Sequence, residues 1–146
     1  MVFEVGTIAI GSDHRARDTV DSLGEYAESL GWKISKHYGD NSESVDYPLQ
    51  AVEVASEILE GRAICGVLIC GSGIGMSMAA NKVDGIRAAL VHESVAAEMS
   101  RRHNNANVLC MAAESPFKPN YSKILQTWLS APFEGGRHQR RIDLMR

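Results

Sequence analysis

The chain lacks any apolar run approaching the roughly 20 residues that a membrane span requires, and Met1 to Glu4 carries neither the charged n-region nor the apolar h-region of a secretory leader. A soluble, cytoplasmic protein with no membrane partner is the expectation. Cysteine is scarce: Cys65, Cys70 and Cys110 are odd in number and lie in or at the end of apolar, strand-like runs. That placement argues against a disulfide framework and for a reducing compartment. Charge of one sign is lacking too. Lys and Arg number 15 against 18 Asp and Glu, for a net charge of -3, and the basic residues are scattered until Arg137 to Arg146. A general nucleic-acid surface is therefore not indicated, while small anions remain open as ligands. No internal repeat, low-complexity segment or linker interrupts the 146 residues, 45% of them hydrophobic. One domain, 1–146, with one sizeable core is expected, ending in a polar C-terminal arm from about 134 to 146.

What the chain does have is the stretch from Ile64 to Lys82. The run Ile64 to Ile69 contains no polar residue and is short, which suits a parallel strand buried on both faces. Cys70 then stands at the strand's carboxyl end, where ligands bind in open α/β sheets. Gly71, Gly73 and Gly75 follow, free to turn backbone N–H groups toward an anion at the next helix start. A dinucleotide site is the first alternative for such glycines. The spacing here is G-x-G-x-G, however, and no acidic residue stands about 20 positions on at the end of a second strand.

The rest of the chain alternates in the same way. Thr7 to Gly11 reads as a buried strand ending at Ser12-Asp13-His14; Val20, Leu23, Tyr26, Ala27 and Leu30 mark a helix that Gly31 stops. Trp32 to Tyr38 alternates as a more exposed strand, with a polar loop at Gly39 to Ser42. Asp46-Tyr47-Pro48 opens a second helix, striped by Ala51, Val54, Ala55, Ile58 and Leu59 and ended by Gly61. A fourth strand is expected over Ile86 to Val91, a short helix over His92 to Arg102, a fifth strand over Asn107 to Ala112, and a last helix over Asn120 to Leu129. Beyond Gly135-Gly136, Arg137 to Arg146 is too polar for a core and is expected to cross the surface or reach a partner subunit. Strands alternating with helices predict an α/β fold: a doubly wound, Rossmann-like, five-stranded parallel sheet with helices on both faces.

Most free cysteines are small buried hydrophobes, and Cys65 and Cys110 fit that reading. Cys70 differs, because oriented loop amides and a helix start favour a thiolate that can act as a base. His103 begins the run His103-Asn104-Asn105 between a helix and the fifth strand. Loop histidines are usually solvated, but an imidazole is also the side chain suited to acid–base transfer near neutral pH. Arg137 and Arg141 stand four apart, on one face if the segment is helical; they read either as a solvated tail or as a grip for an anion.

The chain resembles the ribose-5-phosphate isomerase B family, which includes related sugar-phosphate isomerases such as the galactose-6-phosphate isomerase subunits. The resemblance rests on Gly11-Ser12-Asp13-His14, Asp46-Tyr47-Pro48, the Cys70 loop through Asn81-Lys82, Gly85-Ile86-Arg87-Ala88-Ala89, His103 to Leu109, and Gly135 to Arg141, in the family's order over almost the whole chain. It implies interconversion of D-ribose 5-phosphate and D-ribulose 5-phosphate through an enediolate, in the pentose phosphate pathway, with no metal or other cofactor. Cys70 would move the proton between C2 and C1, Ser72 would assist transfer between the oxygens, and the amides of Gly71 to Gly75 would meet the developing negative charge. His103 would open the furanose ring, with Asn104 beside it. Asp13 would bind sugar hydroxyls or share in ring opening, Tyr47 would line the pocket, and His14, Arg137 and Arg141 would hold the phosphate. Family members share active sites between subunits, which implies a homodimer or a tetramer.

Two departures stand out. Eleven positions after His103, where the family commonly has a phosphate-binding arginine, this chain has Glu114, and Arg15 and Arg17 follow His14 where the family has Ala-Gly. The two arginines are candidates to replace the lost one. A metal-assisted hydride shift is the competing chemistry, with Asp13, His14 and Asp46 as its nearest ligands. An isomerase of a hexose 6-phosphate, of allose or galactose type, and a non-catalytic sugar-phosphate sensor are the alternative functions.

Overall fold

A computed structural model describes residues 2–39, 44–114 and 116–145. Its elements follow in the order β1 (Thr7–Ser12), α1 (Arg17–Ser29), β2 (Lys33–His37), α2 (Tyr47–Leu59), β3 (Cys65–Cys70), α3 (Ile74–Asn81), β4 (Ala88–Leu90), α4 (Ser94–Asn104), β5 (Val108–Ala112), α5 (Tyr121–Ser130) and α6 (Arg137–Ile142). The five strands are all parallel, in the order β2-β1-β3-β5-β4. This is the expected five-stranded α/β architecture. Residues 40–43, which include most of the expected polar loop, lie outside the described residues.

The period of two along a strand sorts the core into two layers. Ile8, Ile10, Val67, Ile69, Leu109 and Met111 pack with Val20 and Leu23 of α1, Ala97 of α4, and Ile124 and Trp128 of α5. Ala9, Leu68, Cys70, Val108 and Cys110 pack instead with Val54 and Ala55 of α2 and Met76 and Ala80 of α3. Right-handed crossovers require this division, because the chain runs outward to β2, back across β1, over β5 to β4, and back to β5. The direction changes between β1 and β3, and the crevice at the carboxyl ends of those two strands is where such sheets bind ligands. There the Asp13 N–H reaches across to the Ile69 carbonyl at 3.3 Å.

Three expectations need correction. The fourth strand is shorter than Ile86 to Val91, because a side chain takes the place of its first rung at Arg87, while another caps the open edge at Ala88. Asn107 Oδ1 accepts from the Arg87 N–H at 2.8 Å, while Asn81 accepts from the Ala88 N–H at 2.8 Å and donates to the Ala88 carbonyl at 2.9 Å. His103 is not in a loop: α4 runs on to Asn104, and Asn105 closes it with φ of 46°. Finally, α5 is not the last helix. Gly135 and Gly136 take positive φ, and the polar residues after them coil into α6, which buries His138. No helix among the described residues is long and apolar enough to cross a membrane.

Candidate active site

Cys70 is the last residue of β3, paired with Ala112 of β5 and 6% exposed. Its carbonyl accepts the Ala113 N–H at 2.9 Å, and the Gly71 carbonyl accepts the Glu114 N–H at 3.0 Å, so the β5 exit fixes the start of the loop. Gly73 turns the chain into α3 with φ of 77°, where an added Cβ would come within 2.6 Å of Leu90 and 2.9 Å of the Met111 backbone. Gly75 is needed for another reason: a Cβ there would fall 2.5 Å from the Tyr47 ring, which lies on the loop from the start of α2. The Ser72 hydroxyl accepts from the Ile74 N–H at 3.2 Å.

The β1 exit supplies the other wall. Asp13 Oδ1 accepts the Arg15 N–H at 3.0 Å, a turn that leaves its second carboxylate oxygen unused in that bond. His14 Nδ1 accepts from the Val45 N–H at 3.3 Å, which leaves Nε2 to carry the proton and to donate. Glu114 sits over the loop, its carboxyl carbon 3.2 Å from where a Cβ on Gly71 would lie. It is ion-paired to Arg15 at 2.7 Å, and the hydrogen bond to Glu114, followed by its charge, pushes Arg15 above its ordinary pKa. Arg17 turns elsewhere. Its guanidinium donates to the Tyr38 carbonyl at 3.2 Å and lies 5.5 Å over the Tyr38 ring. Of the two arginines, Arg15 is the one set against Glu114.

The remaining predicted residues gather at the opposite end of the sheet. Helix α4 runs back from the carboxyl ends of the strands, so its last turn meets the start of β5. Cys70 is level with Ala112, whereas His103 and Asn104 precede Val108. The four strand steps between Val108 and Ala112 alone span about 13 Å. His103 stacks on His138, with ring centroids 4.3 Å apart and planes 7° from parallel. Glu134 faces both rings, with Oε2 3.4 Å from His138 Nε2 and 3.9 Å from His103 Nε2. Arg102 holds Glu134 through Nε at 2.7 Å and Nη2 at 2.5 Å, and accepts the Glu134 N–H on its own carbonyl. Burial, then the charges of His103 and Arg137, holds His138 below the ordinary imidazole pKa. Arg137 and Arg141 are exposed on α6, one turn apart. A cavity of about 850 Å³ opens at this end, lined by Asn81, Lys82, Arg87, Asn104 and Ile142 among others.

Within one chain, therefore, the structure brings Asp13, His14, Arg15, Tyr47, Cys70, Ser72 and the loop glycines together, and separately His103, Asn104, Arg137 and Arg141. The first group can carry a proton at a thiol, offer loop amides to an oxyanion, and donate from His14 to an anion. The second couples an imidazole to a cationic grip for an anion. Asp13, His14 and Asp46 do not converge on a metal position. Among the described residues, the three-donor group whose ligand atoms all lie within 4.8 Å is His103, Glu134 and His138. Sequence reasoning missed Glu134 and His138, although their i,i+4 spacing across Gly135-Gly136 was the available signal. It also missed Arg101. That side chain is 3% exposed, its guanidinium lies 3.8 Å over the Phe3 ring, and Nη1 donates to Asn105 Oδ1 at 2.9 Å and to the Ala106 carbonyl at 2.6 Å. Burial lowers its pKa to about 10, and it fixes the end of α4 that carries His103.

Comparison with known proteins shows the family and the fold. The family model described as ribose/galactose isomerase matches residues 8–145. Ribose-5-phosphate isomerase B of Escherichia coli (strain K12) is 38% identical over 136 residues, covering 93% of this chain and 91% of the relative. D-erythrulose-4-phosphate isomerase of Pectobacterium atrosepticum is 36% identical over 138 residues, covering 94% and 91%. The solved structure of Trypanosoma brucei type B ribose 5-phosphate isomerase superimposes with a TM-score of 0.89 at 38% identity, covering 97% of each chain.

Proposed function

The chain belongs to the ribose/galactose isomerase family, and on that premise we propose that it is an aldose–ketose isomerase interconverting D-ribose 5-phosphate and D-ribulose 5-phosphate through an enediolate. The observation that carries the reading is a thiol at the carboxyl end of the central strand, walled by Asp13, His14 and Tyr47 and followed by a glycine loop that opens a helix. The Cys70 thiolate takes the proton from C2 of the open-chain aldose. The electron pair moves through C1 to the carbonyl oxygen, and the resulting enediolate is held by the loop amides. Ser72 passes a proton between O2 and O1, and the Cys70 thiol returns its proton to C1 to give the ketose. Before this, His103 opens the furanose by taking the anomeric hydroxyl proton and giving one to the ring oxygen. His14, Arg137 and Arg141 hold the phosphate.

This assignment requires that the two residue groups meet, and they lie at opposite ends of one sheet. The active site is accordingly shared: His103, Asn104, Arg137 and Arg141 of one subunit face the Cys70 loop of its partner in a homodimer. Exposed apolar side chains stand at both ends to support such an interface, with Ile74 and Met78 on α3 beside the loop and Leu144 and Met145 on the arm after α6. Mixing subunits tests this. In a two-fold dimer, Cys70→Ala and His103→Asn subunits exchanged in equal amounts form about half mixed dimers, each with one intact site and one doubly damaged site. Turnover of cyclic ribose phosphate, on which both parents are impaired, should recover to about a quarter of wild type. Recovery no greater than the sum of the two inactive parents would place each site within one chain.

A second substrate reading has its own support. Glu114 and Arg15 form an ion pair at the pocket rim in place of a lone cation, which suits a sugar phosphate of different length. A turnover screen over four-, five- and six-carbon aldose and ketose phosphates decides the matter. The highest kcat/KM should fall on the ribose and ribulose phosphates; preference for another length would replace the substrate and keep the reaction. Turnover of none of them would leave a sugar-phosphate sensor.

A further inference from the structure

His103, Glu134 and His138 present two imidazole nitrogens and one carboxylate oxygen, all within 4.8 Å of one another. The Glu134 oxygen stands 3.4 Å from one nitrogen and 3.9 Å from the other, close to the roughly 3.4 Å that separates donors around a tetrahedral ion with bonds of about 2.1 Å. His138 is 7% exposed, and its Nε2 has no hydrogen-bond partner although it faces this carboxylate. A buried polar atom left in that state calls for an explanation. Either a lone pair is aimed at an anion or an N–H is poorly aligned with it, and a cation between the three donors would relieve both arrangements. The donor set is that of zinc and its first-row neighbours, not of magnesium or calcium, which prefer oxygen throughout. The carboxylate is also fixed from behind by Arg102 on its other oxygen, as outer-shell partners fix metal ligands.

We propose that His103, Glu134 and His138 bind a divalent cation of the zinc class, with a fourth position open to water, and that the bound ion takes His103 out of action. The stacked rings must open so that both nitrogens converge, and the half-exposed His103 is the ring placed to tilt. Arg102, Arg137 and Arg141 surround the position with positive charge, so the ion should be held reversibly and be removable by a chelator. Only the inhibitory consequence rests on the ring-opening role of His103; binding does not.

The two parts are tested separately. Chelator-treated Cys70→Ala protein, which lacks the one thiol proposed to form thiolate, is titrated with Co²⁺ by visible absorption and with Zn²⁺ by calorimetry. We expect one ion per chain with a four-coordinate cobalt spectrum, and affinity more than tenfold weaker when either Glu134→Gln or His103→Asn is added. Glu134 is exposed and His103 half-exposed, so both variants should keep the wild-type circular dichroism. Absence of saturable binding, or affinity in both added variants unchanged from the Cys70→Ala parent, would overturn the site. In wild-type enzyme, Zn²⁺ should slow turnover of cyclic ribose phosphate more than that of open-chain ribulose phosphate, reversed by chelator. Equal slowing of both that Glu134→Gln relieves would leave the site standing and overturn the role of His103, and slowing that Glu134→Gln does not relieve would assign the inhibition to the Cys70 thiol and overturn that role as well.

Discussion

Replacing the three cysteines one at a time separates chemistry from packing. Cys70→Ala removes one sulfur atom from the last rung of β3. The backbone there is held by pairing with Ala112 and by the Ala113 N–H on the Cys70 carbonyl at 2.9 Å, and neither uses Sγ. The loop geometry should therefore survive, at a packing cost of about 1–2 kcal/mol for a lost group of roughly methylene size and the small cavity it leaves. A positioned proton-transfer base contributes about 10²- to 10⁴-fold, equal to about 2.7–5.4 kcal/mol of barrier. Because the thiolate acts in the transition state, kcat should fall by that factor while KM stays nearly unchanged.

Cys65 and Cys110 are the internal controls. Both are 0% exposed, and burial pushes both thiols well up from their ordinary pKa, with the neighbouring Cys70 adding to the effect at Cys110. Neither can supply a thiolate at working pH. Their alanine variants should lose about 1–2 kcal/mol of stability to chemical denaturation and keep wild-type kcat. Iodoacetamide on the native protein should label Cys70 and spare the other two. Turnover by Cys70→Ala within about tenfold of wild type, or loss of turnover in a folded Cys65→Ala, would refute the assignment.

His103→Asn should slow turnover of cyclic ribose phosphate far more than that of ribulose phosphate, which has no furanose to open, and equal losses would assign the residue a structural role. Arg15→Ala, which leaves Glu114 uncompensated, should raise KM about tenfold or more with kcat unchanged. Glu114→Arg should lower KM, and Arg17→Ala should leave it unaltered because that guanidinium is turned to Tyr38; a KM rise confined to Arg17→Ala would reverse the choice of arginine. Gly73→Ala places a side chain at φ of 77° against Leu90 and the Met111 backbone. It should cost about 2–5 kcal/mol, read as a Tm lower by roughly 5–15 °C; a drop under about 2 °C would show that the loop relaxes freely.

Much of the fold was legible in the sequence because its signals are local. Cys65 to Ile69 is apolar throughout since β3 is covered on both faces, and Val20, Leu23 and Ala27 recur at helical spacing since α1 buries one stripe. The half-site around Cys70 was legible for the same reason: a strand end, a glycine loop and a helix start are neighbours in sequence. What escaped depends on contacts between distant segments. The fourth strand shortened because the amide of Asn107 stands in for a ladder partner at Arg87. Residues 137–142 look like a solvated tail until His138 finds His103 to stack on. The Glu114 charge reads as a defect until Arg15 pairs with it from the far end of the chain.

The proposed division of the site follows from the topology. In a parallel sheet every strand exit lies at one edge and every helix exit at the other, so a residue after a strand and a residue closing a crossover helix are separated by the length of the sheet. Cys70 and Asp13 belong to the first kind, His103 to the second, and the stack of His138 on His103 ties α6 and its arginines to that same edge. No loop movement within one chain closes a gap of that size without dismantling β5. A second copy related by a two-fold axis would close it twice, since bringing one loop to the partner's α6 would bring the partner's loop to the first. Assembly is then a condition of catalysis in this reading: dilution below the dimer dissociation constant should abolish isomerisation while each folded chain keeps its thiol and its histidine.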